Sequence, residues 1–418
     1  MPTPAQFQVS SFIGFRNRKR IASSLSGFIR TCCSIFLLSS LIITILLIAW
    51  RPAQADQSNS TQSETVFLSK AAPMQVVLLI NNQENPFWQL VAKAASKAAE
   101  DLNISLQVIS VNGNPLRPVR VLSALVNSSR KPDAVLFPNI KNTGKAVLDL
   151  LEKHKIYSVI YDNGFSPKDN MGRPGQYYRY WLGQIAVNNY EASRQLTHEL
   201  IEEALQRFPD QRPLPMIVLE GNTSSQANAQ RLLGMFDALV SYKEMVEIRQ
   251  IFHTRYNPKH AYNATLSAQQ RYPEVRVIWA ANDAMAVRAV DALKEGDQIP
   301  GRDVLVTGFD LLPEARRRIQ RGELFNSYGG HFMAAAWGLV YLYDHLHGAS
   351  ERYQQLSIPL YSGKYPFKVA VPEKNGKLWL EPGRDFANID FTLFSHYLQE
   401  SELSEGRKKY LFEAGNNQ

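Results

Sequence analysis

Cysteine is nearly absent from this chain. Its 418 residues include two, Cys32 and Cys33, both inside the first 55. The rest of the chain therefore has neither disulfides nor a thiol nucleophile. The pair precedes an apolar run instead of ending it, so it does not read as a lipid-attachment signal. Acidic residues are missing from the same stretch: residues 1–55 hold Arg16, Arg18, Lys19, Arg20, Arg30 and Arg51 and no Asp or Glu. Taking those six charges from the formal net +8 leaves +2 for the rest, so the body is close to neutral. A near-neutral body argues against a broad nucleic-acid surface, and the cluster Arg316, Arg317, Arg318 and Arg321 reads as a solvated helix face. The histidines lack metal-ligand spacing, and Asp344-His345-Leu346-His347 reads as an exposed helix end. Gly221-Asn222-Thr223-Ser224-Ser225 lacks the Gly-Lys-Ser/Thr that completes a phosphate loop. Neither Ser224 nor Ser225 has a matched base. No metal, cofactor or catalytic residue is expected, and the reading is a non-enzyme.

Long apolar runs are also scarce. The run Ile35 to Trp50 covers 16 residues, short of the roughly 20 that span a bilayer. It comes after a basic stretch and before Pro52-Ala53-Gln54-Ala55, an A-x-A cleavage pattern ahead of Asp56. This order predicts a secretory signal over 1–55, with the mature protein in the periplasm. The alternative is an uncleaved anchor holding the same domain outside the membrane. Residues 56–73 read as a flexible spacer.

From Met74 a strand–helix rhythm begins. Strands are expected at 75–81, 105–111, 134–138 and 158–162, with helices between them. Residues 166–183, with Gly172, Pro174, Gly175 and four Tyr or Trp, read as a loop near a domain boundary. The rhythm restarts with a helix near 190–208, then strands at 216–220, 248–252, 275–281 and 304–307. Two such sets predict an α/β protein of two doubly wound parallel-sheet lobes. In open parallel sheets ligands bind beyond the carboxyl ends of the strands. The residues there alternate amides and carboxylates with flat aromatics, which matches a sugar's hydroxyls and C–H faces.

Those residues carry a resemblance. Asn85-Pro86-Phe87-Trp88, Tyr161-Asp162, Arg231-x-x-Gly234, Ala281-Asn282-Asp283-Ala284-Met285-Ala286 and Gly308-Phe309-Asp310 resemble, in order and spacing, segments of the ribose- and galactose-binding-like type I periplasmic binding proteins. The resemblance covers roughly residues 74–350. It implies a multi-crossover hinge between one lobe from 74–186 plus 331–350 and a second from 187–330. Beyond Gly348 the pattern weakens, and 351–418 reads as an extension closing onto the lobes with a partly disordered end. The resemblance also implies roles: Phe87 and Trp88 stack on one ligand face with Tyr256 opposite. Asp162, Asn282 and Asp310 bond hydroxyls, Arg231 donates from its fork, and Asn85 adds a bond. Two departures bear on ligand identity. Asn163 stands where some relatives have arginine, and Gly329-Gly330-His331 where they have glutamine at the last crossover; His331 joins the candidate set.

Each residue has a plainer reading. Asn85 can simply begin a helix with Pro86, Phe87 and Trp88 can be core, and Asp162 and Asp310 can cap loops. Arg231 can pair with a surface carboxylate, and His331 reads either way. Of Asn282 and Asp283, Asp283 is expected to cap the helix and Asn282 to face the ligand. The leading function is capture of a sugar-like molecule by a monomer, for delivery to an ABC transporter permease. The alternative is a sensory subunit reporting ligand to a membrane kinase, chemoreceptor or cyclase.

Overall fold

The structure is a computed structural model. It describes residues 72–349, 355–358, 360–364, 368–372, 378–382 and 386–399. The segment read as an export signal, both cysteines and nearly all of the spacer lie outside the described residues.

The first sheet is built from β1 (Gln75–Ile80), β2 (Ser105–Ser110), β3 (Ala134–Phe137), β4 (Tyr157–Asp162) and β5 (Trp181–Val187). Helices α1 (Pro86–Asp101), α2 (Arg117–Val126) and α3 (Gly144–Lys153) alternate with its first four strands. The chain then enters α4 (Asn189–Arg207) and a second sheet: β6 (Leu214–Glu220), β7 (Val246–His253), β8 (Val277–Ala280), β9 (Leu305–Asp310) and β10 (Asn326–Gly329). Between these strands run α5 (Gln226–Val240), α6 (Pro258–Arg271), α7 (Asp283–Glu295) and α8 (Pro313–Gln320). Helix α9 (Ala334–Leu346) comes next, then β11 (Gln355–Ile358), β12 (Tyr361–Ser362) and the hairpin β13 (Lys368–Pro372) and β14 (Leu378–Pro382).

The strand orders are β11-β5-β4-β3-β1-β2 and β12-β10-β9-β8-β6-β7. All pairings within both sheets are parallel except β10 with β12. Central strands such as β3 and β8 are buried along their whole length, as strands covered on both faces must be. The chain passes between the sheets after β5, after β10 and between β11 and β12. The segment expected to close onto the lobes supplies an edge strand to each sheet.

Strand β5 corrects the sequence reading. Residues 181–183, expected in a loop with the turn-forming Gly172, Pro174 and Gly175 before them, open this strand. Gln184 is buried without cost to the strand because its amide is satisfied: Oε1 accepts from Phe165 N at 3.0 Å and Nε2 donates to Phe165 O at 3.2 Å.

The last described segment docks on the first lobe. Phe391 is fully buried against Trp337, with ring centroids 5.1 Å apart. The Ser395 hydroxyl donates to Asp344 Oδ1 at 2.6 Å, and His396 N donates to Asp344 Oδ2 at 3.0 Å. Asp344, expected on an exposed helix end, is buried as the acceptor for this segment.

Candidate functional site

The carboxyl ends of the two sheets' strands face one cleft, with a cavity of about 290 Å³. All nine residues singled out from sequence line it: Asn85, Phe87, Trp88, Asp162, Arg231, Tyr256, Asn282, Asp310 and His331.

In the first lobe Asn85 caps α1, its side chain accepting from Phe87 N at 2.9 Å, with Pro86 opening the helix. The cap fixes the first turn, so Phe87 and Trp88 are held edge-to-face at 5.2 Å between centroids. The His331 ring lies 4.7 Å from Phe87. Asp162 ends β4 with φ 62°, and its Oδ2 accepts from Asn163 Nδ2 at 2.5 Å. Burial pushes the Asp162 carboxyl up to about 6, against the opposing pull of Arg231 and Asn163.

In the second lobe Arg231 is 3% exposed, so each donor it carries must find an acceptor. Its Nε donates to Asn189 Oδ1 at 2.8 Å and its Nη1 to Ala281 O at 2.7 Å. Nη1 also lies 3.6 Å from Asp310 Oδ1, and the guanidinium sits 4.7 Å above the centre of the Phe309 ring. Most of the fork expected to serve a ligand therefore fixes the lobe itself. Gly234, the second half of the arginine motif, lets α5 meet α4: a Cβ there would fall 2.2 Å from Tyr190 O.

Asp310 ends β9 with φ 109°. Burial pushes its carboxyl up to about 7, with Asp162 adding to the rise and Arg231 opposing it. His331 Nε2 lies 3.5 Å from Asp310 Oδ1 and 4.0 Å from Asp162 Oδ1. Burial first, and Arg231 second, hold His331 well below its usual range, so the imidazole is neutral at pH 7. The cleft floor thus combines two carboxylates, one guanidinium and a neutral ring.

Tyr256 has φ 58° and its ring rests on Gly221, where a Cβ would fall 2.2 Å from the ring. Burial pushes its phenol up to about 12. Asn81 Oδ1 and His331 Nδ1 are buried without a hydrogen-bond partner among the described residues. Left-handed backbone recurs around the cleft, at Lys141, Asp162, Tyr256 and Asp310, all of them on the lining. Such strain is retained where the surroundings over-determine it.

The helix cap falls on Asn282 and not on Asp283 as expected, while Asn282 also lines the cavity. Asn282 is the residue with extended backbone (φ −158°, ψ 168°), so it caps α7, accepting from Met285 N at 3.1 Å. Asp283 lies inside the helix and is fully buried. It accepts from Leu312 N at 2.7 Å and from the Ser327 hydroxyl at 2.6 Å. Burial, then the nearby Asp310, holds its carboxyl well above the usual range. The helix starts one residue earlier than the first acidic residue suggested.

Sequence reasoning missed Asn81, Asn82, Asn139, Lys141 and Arg255, all on the lining. Asn81 and Asn82 come directly after β1, and Asn139 just after β3, so the strand-end rule applied to them as well. Asn189, which orients Arg231, gave no signal: it opens α4 far from any motif.

Comparison with known proteins agrees with this architecture. The family model described as a periplasmic binding protein domain matches residues 76–350. The galactofuranose-binding protein of Escherichia coli is 21% identical over 259 residues, 61% of this chain and 77% of the relative. The ribose import binding protein of Salmonella typhimurium is 23% identical over 262 residues, 63% of this chain and 81% of the relative. Among solved structures, a periplasmic sugar-binding protein from Pseudomonas fluorescens superposes with a TM-score of 0.62 at 24% identity, covering 69% of this chain and 85% of its own. With two parallel-sheet lobes enclosing one cleft and the family model matched over most of its length, the chain belongs to the periplasmic binding protein domain family.

Proposed function

We propose that this protein captures a neutral, hydroxyl-rich sugar by closing its lobes, and delivers it in the periplasm to the permease of an ABC transporter. The observation that carries the ligand class is the make-up of the cleft floor. Among the buried charged groups of the lining, Asp162 and Asp310 outnumber Arg231, whose Nε and Nη1 are already committed within its own lobe; the lining cations Lys141 and Arg255 are exposed. At the floor an anionic ligand would meet two buried carboxylates against one committed guanidinium. Hydroxyls suit the site better, because they donate to carboxylates and accept from amides. Phe87, Trp88 and Tyr256 supply apolar faces for the ring C–H groups. The buried Asn81 Oδ1 gains a donor when hydroxyls enter.

The relatives support the same reading: those matched are named for galactofuranose, D-apiose, ribose and D-allose. A structural neighbour from Actinobacillus succinogenes is described as an ABC transporter periplasmic solute-binding protein with bound D-allose. A thermal-shift screen against neutral pentoses, hexoses and polyols tests the proposal. A ligand at about 100 times its dissociation constant adds about 2.7 kcal/mol of stability. A clear shift with a neutral sugar is expected; shifts only with sugar phosphates or carboxylates would overturn the ligand class.

A further inference from the structure

We infer that Asn163 is a latch between the lobes, one that couples the ligand-facing carboxylate of the first lobe to the N-terminus of α5 in the second. Asn163 comes directly after β4 and belongs to the first lobe. Its Oδ1 accepts from the backbone N–H of Ala227 at 3.1 Å, and Ala227 lies in the first turn of α5 across the cleft. Its Nδ2 donates to Asp162 Oδ2 at 2.5 Å. One half-buried amide therefore holds a site carboxylate with one end and the opposite lobe with the other.

The helix end explains why this bond matters. The first N–H groups of a helix have no partner within it and need a side chain, water or ligand. Helix α5 divides the task between lobes. Ser225, on its own lobe, accepts from Asn228 N at 3.4 Å, a long bond. Ala227 N is satisfied by the other lobe. Ala227 is 7% exposed, so its N–H is shielded from water in this arrangement and needs that acceptor.

The latch is also rigidly mounted. Asn163 O accepts from Asn139 N at 2.7 Å, and Asn139 Nδ2 donates to Gly164 O at 3.3 Å. Asn139 Oδ1 accepts in turn from Gly144 N, at the start of α3, at 2.8 Å. The loop carrying Asn163 is thereby tied to the body of the first lobe, so separating the lobes must break the Ala227 bond. Ordering of Asp162 by Asn163 means that this carboxylate is oriented by the residue that registers closure.

The inference rests on the reading of the cleft as one that opens and closes, but its test needs no ligand. Hydrogen exchange is followed residue by residue on the full chain. Two nitroxides, placed at Arg117→Cys and Thr223→Cys in a Cys32→Ser/Cys33→Ser background, report the separation of the lobes; both label positions are exposed. In Asn163→Ala the Ala227 amide should exchange about three- to tenfold faster, the loss expected for one ordinary hydrogen bond. The nitroxide distances should shift longer. Asn163→Asp keeps an acceptor for Ala227 N at a helix N-terminus, where negative charge is favoured, but replaces the donor to Asp162 with a second carboxyl that must share a proton with it. Measured at pH 5, below the Asp162 value of about 6, it should retain the Ala227 protection. Ser225→Ala removes the cap that stays within one lobe and should speed Asn228 without moving the nitroxides. Unchanged exchange and distances in Asn163→Ala would overturn the latch, as would equal lobe separation in Ser225→Ala. If the latch signature appears while no neutral sugar binds, the ligand reading fails and the latch stands.

Discussion

The two lobes share one plan and fill it differently. Each sheet runs in the order second, first, third, fourth, fifth strand, with a late edge strand added. Equivalent strand ends then carry related groups. The fourth strands, β4 and β9, end in Asp162 and Asp310, both with positive φ. The third strands, β3 and β8, lead into Asn139 and Asn282; the first strands, β1 and β6, lead to the helix caps Asn85 and Ser225. The difference lies in what holds the carboxylates. Asp162 has an uncharged partner, Asn163, whereas Asp310 lies beside the buried guanidinium of Arg231. The first lobe is built to present flat apolar faces, the second to keep a charge pair in place.

Breaking that charge pair should produce the largest effect. Arg231→Met leaves Asp310 and Ala281 O without their cation and should destabilise the protein by about 3–5 kcal/mol. Asp162→Asn, in the first lobe, should cost far less. Denaturant unfolding of both variants checks this; equal losses would erase the distinction between the lobes.

Binding should show the same asymmetry. Asp310→Ala should weaken ligand affinity about ten- to a hundredfold, the range for a lost hydrogen bond to a charged group. Titration calorimetry reads it, and unchanged affinity with an intact fold would remove Asp310 from the site.

Stability against pH separates the carboxylates from the histidine. The folded values of Asp162 and Asp310, about 6 and about 7, lie above the ordinary aspartate value of 3.8. Between about pH 4 and 7 the folded state therefore holds more protons than the unfolded one, and these groups lower stability as pH rises. Asp310→Asn should flatten that decline up to about pH 7, and Asp162→Asn only up to about 6. His331 acts in the opposite sense. Its folded value is depressed, so its contribution is lost as pH falls below its unfolded value near 6.5. Unfolding midpoints of the three proteins across pH 4–8 test the signs.

A smaller change probes one wall of the cleft. Gly221→Ala should push the Tyr256 ring from its seat and weaken binding about tenfold, with a modest change in melting temperature. Arg317→Ala should change neither affinity nor stability beyond about 0.5 kcal/mol, since Arg317 pairs with Glu314 on an exposed helix face.

The two lobes are also unequally legible in sequence. Apolar runs bounded by helix-start signals make most strands readable; the rule of strand carboxyl ends points to seven of the nine cleft residues, and the family resemblance adds Arg231 and His331. Sequence reading fails where polarity inside a buried element is satisfied locally, as at Gln184 in β5. It also fails where helix registry turns on one residue, as at Asn282 and Asp283. Asn139, two residues past the end of β3, falls under the same strand-end rule, but no motif singles it out. Arg231 is legible, but its restraint by Asn189 is not, since residues 42 apart in sequence meet only through the packing of α4 on α5.

The central claim is that the cleft closes on a neutral sugar. Its most direct test is a calorimetric titration of each of D-ribose, D-allose, L-arabinose and myo-inositol beside the corresponding phosphate esters, with nitroxide distances across the cleft recorded at saturation. The account predicts saturable binding of at least one neutral compound, with shorter and narrower distances, and no binding of its phosphate ester. Binding of the ester alone, or binding of a neutral sugar that leaves the distances unchanged, would contradict it.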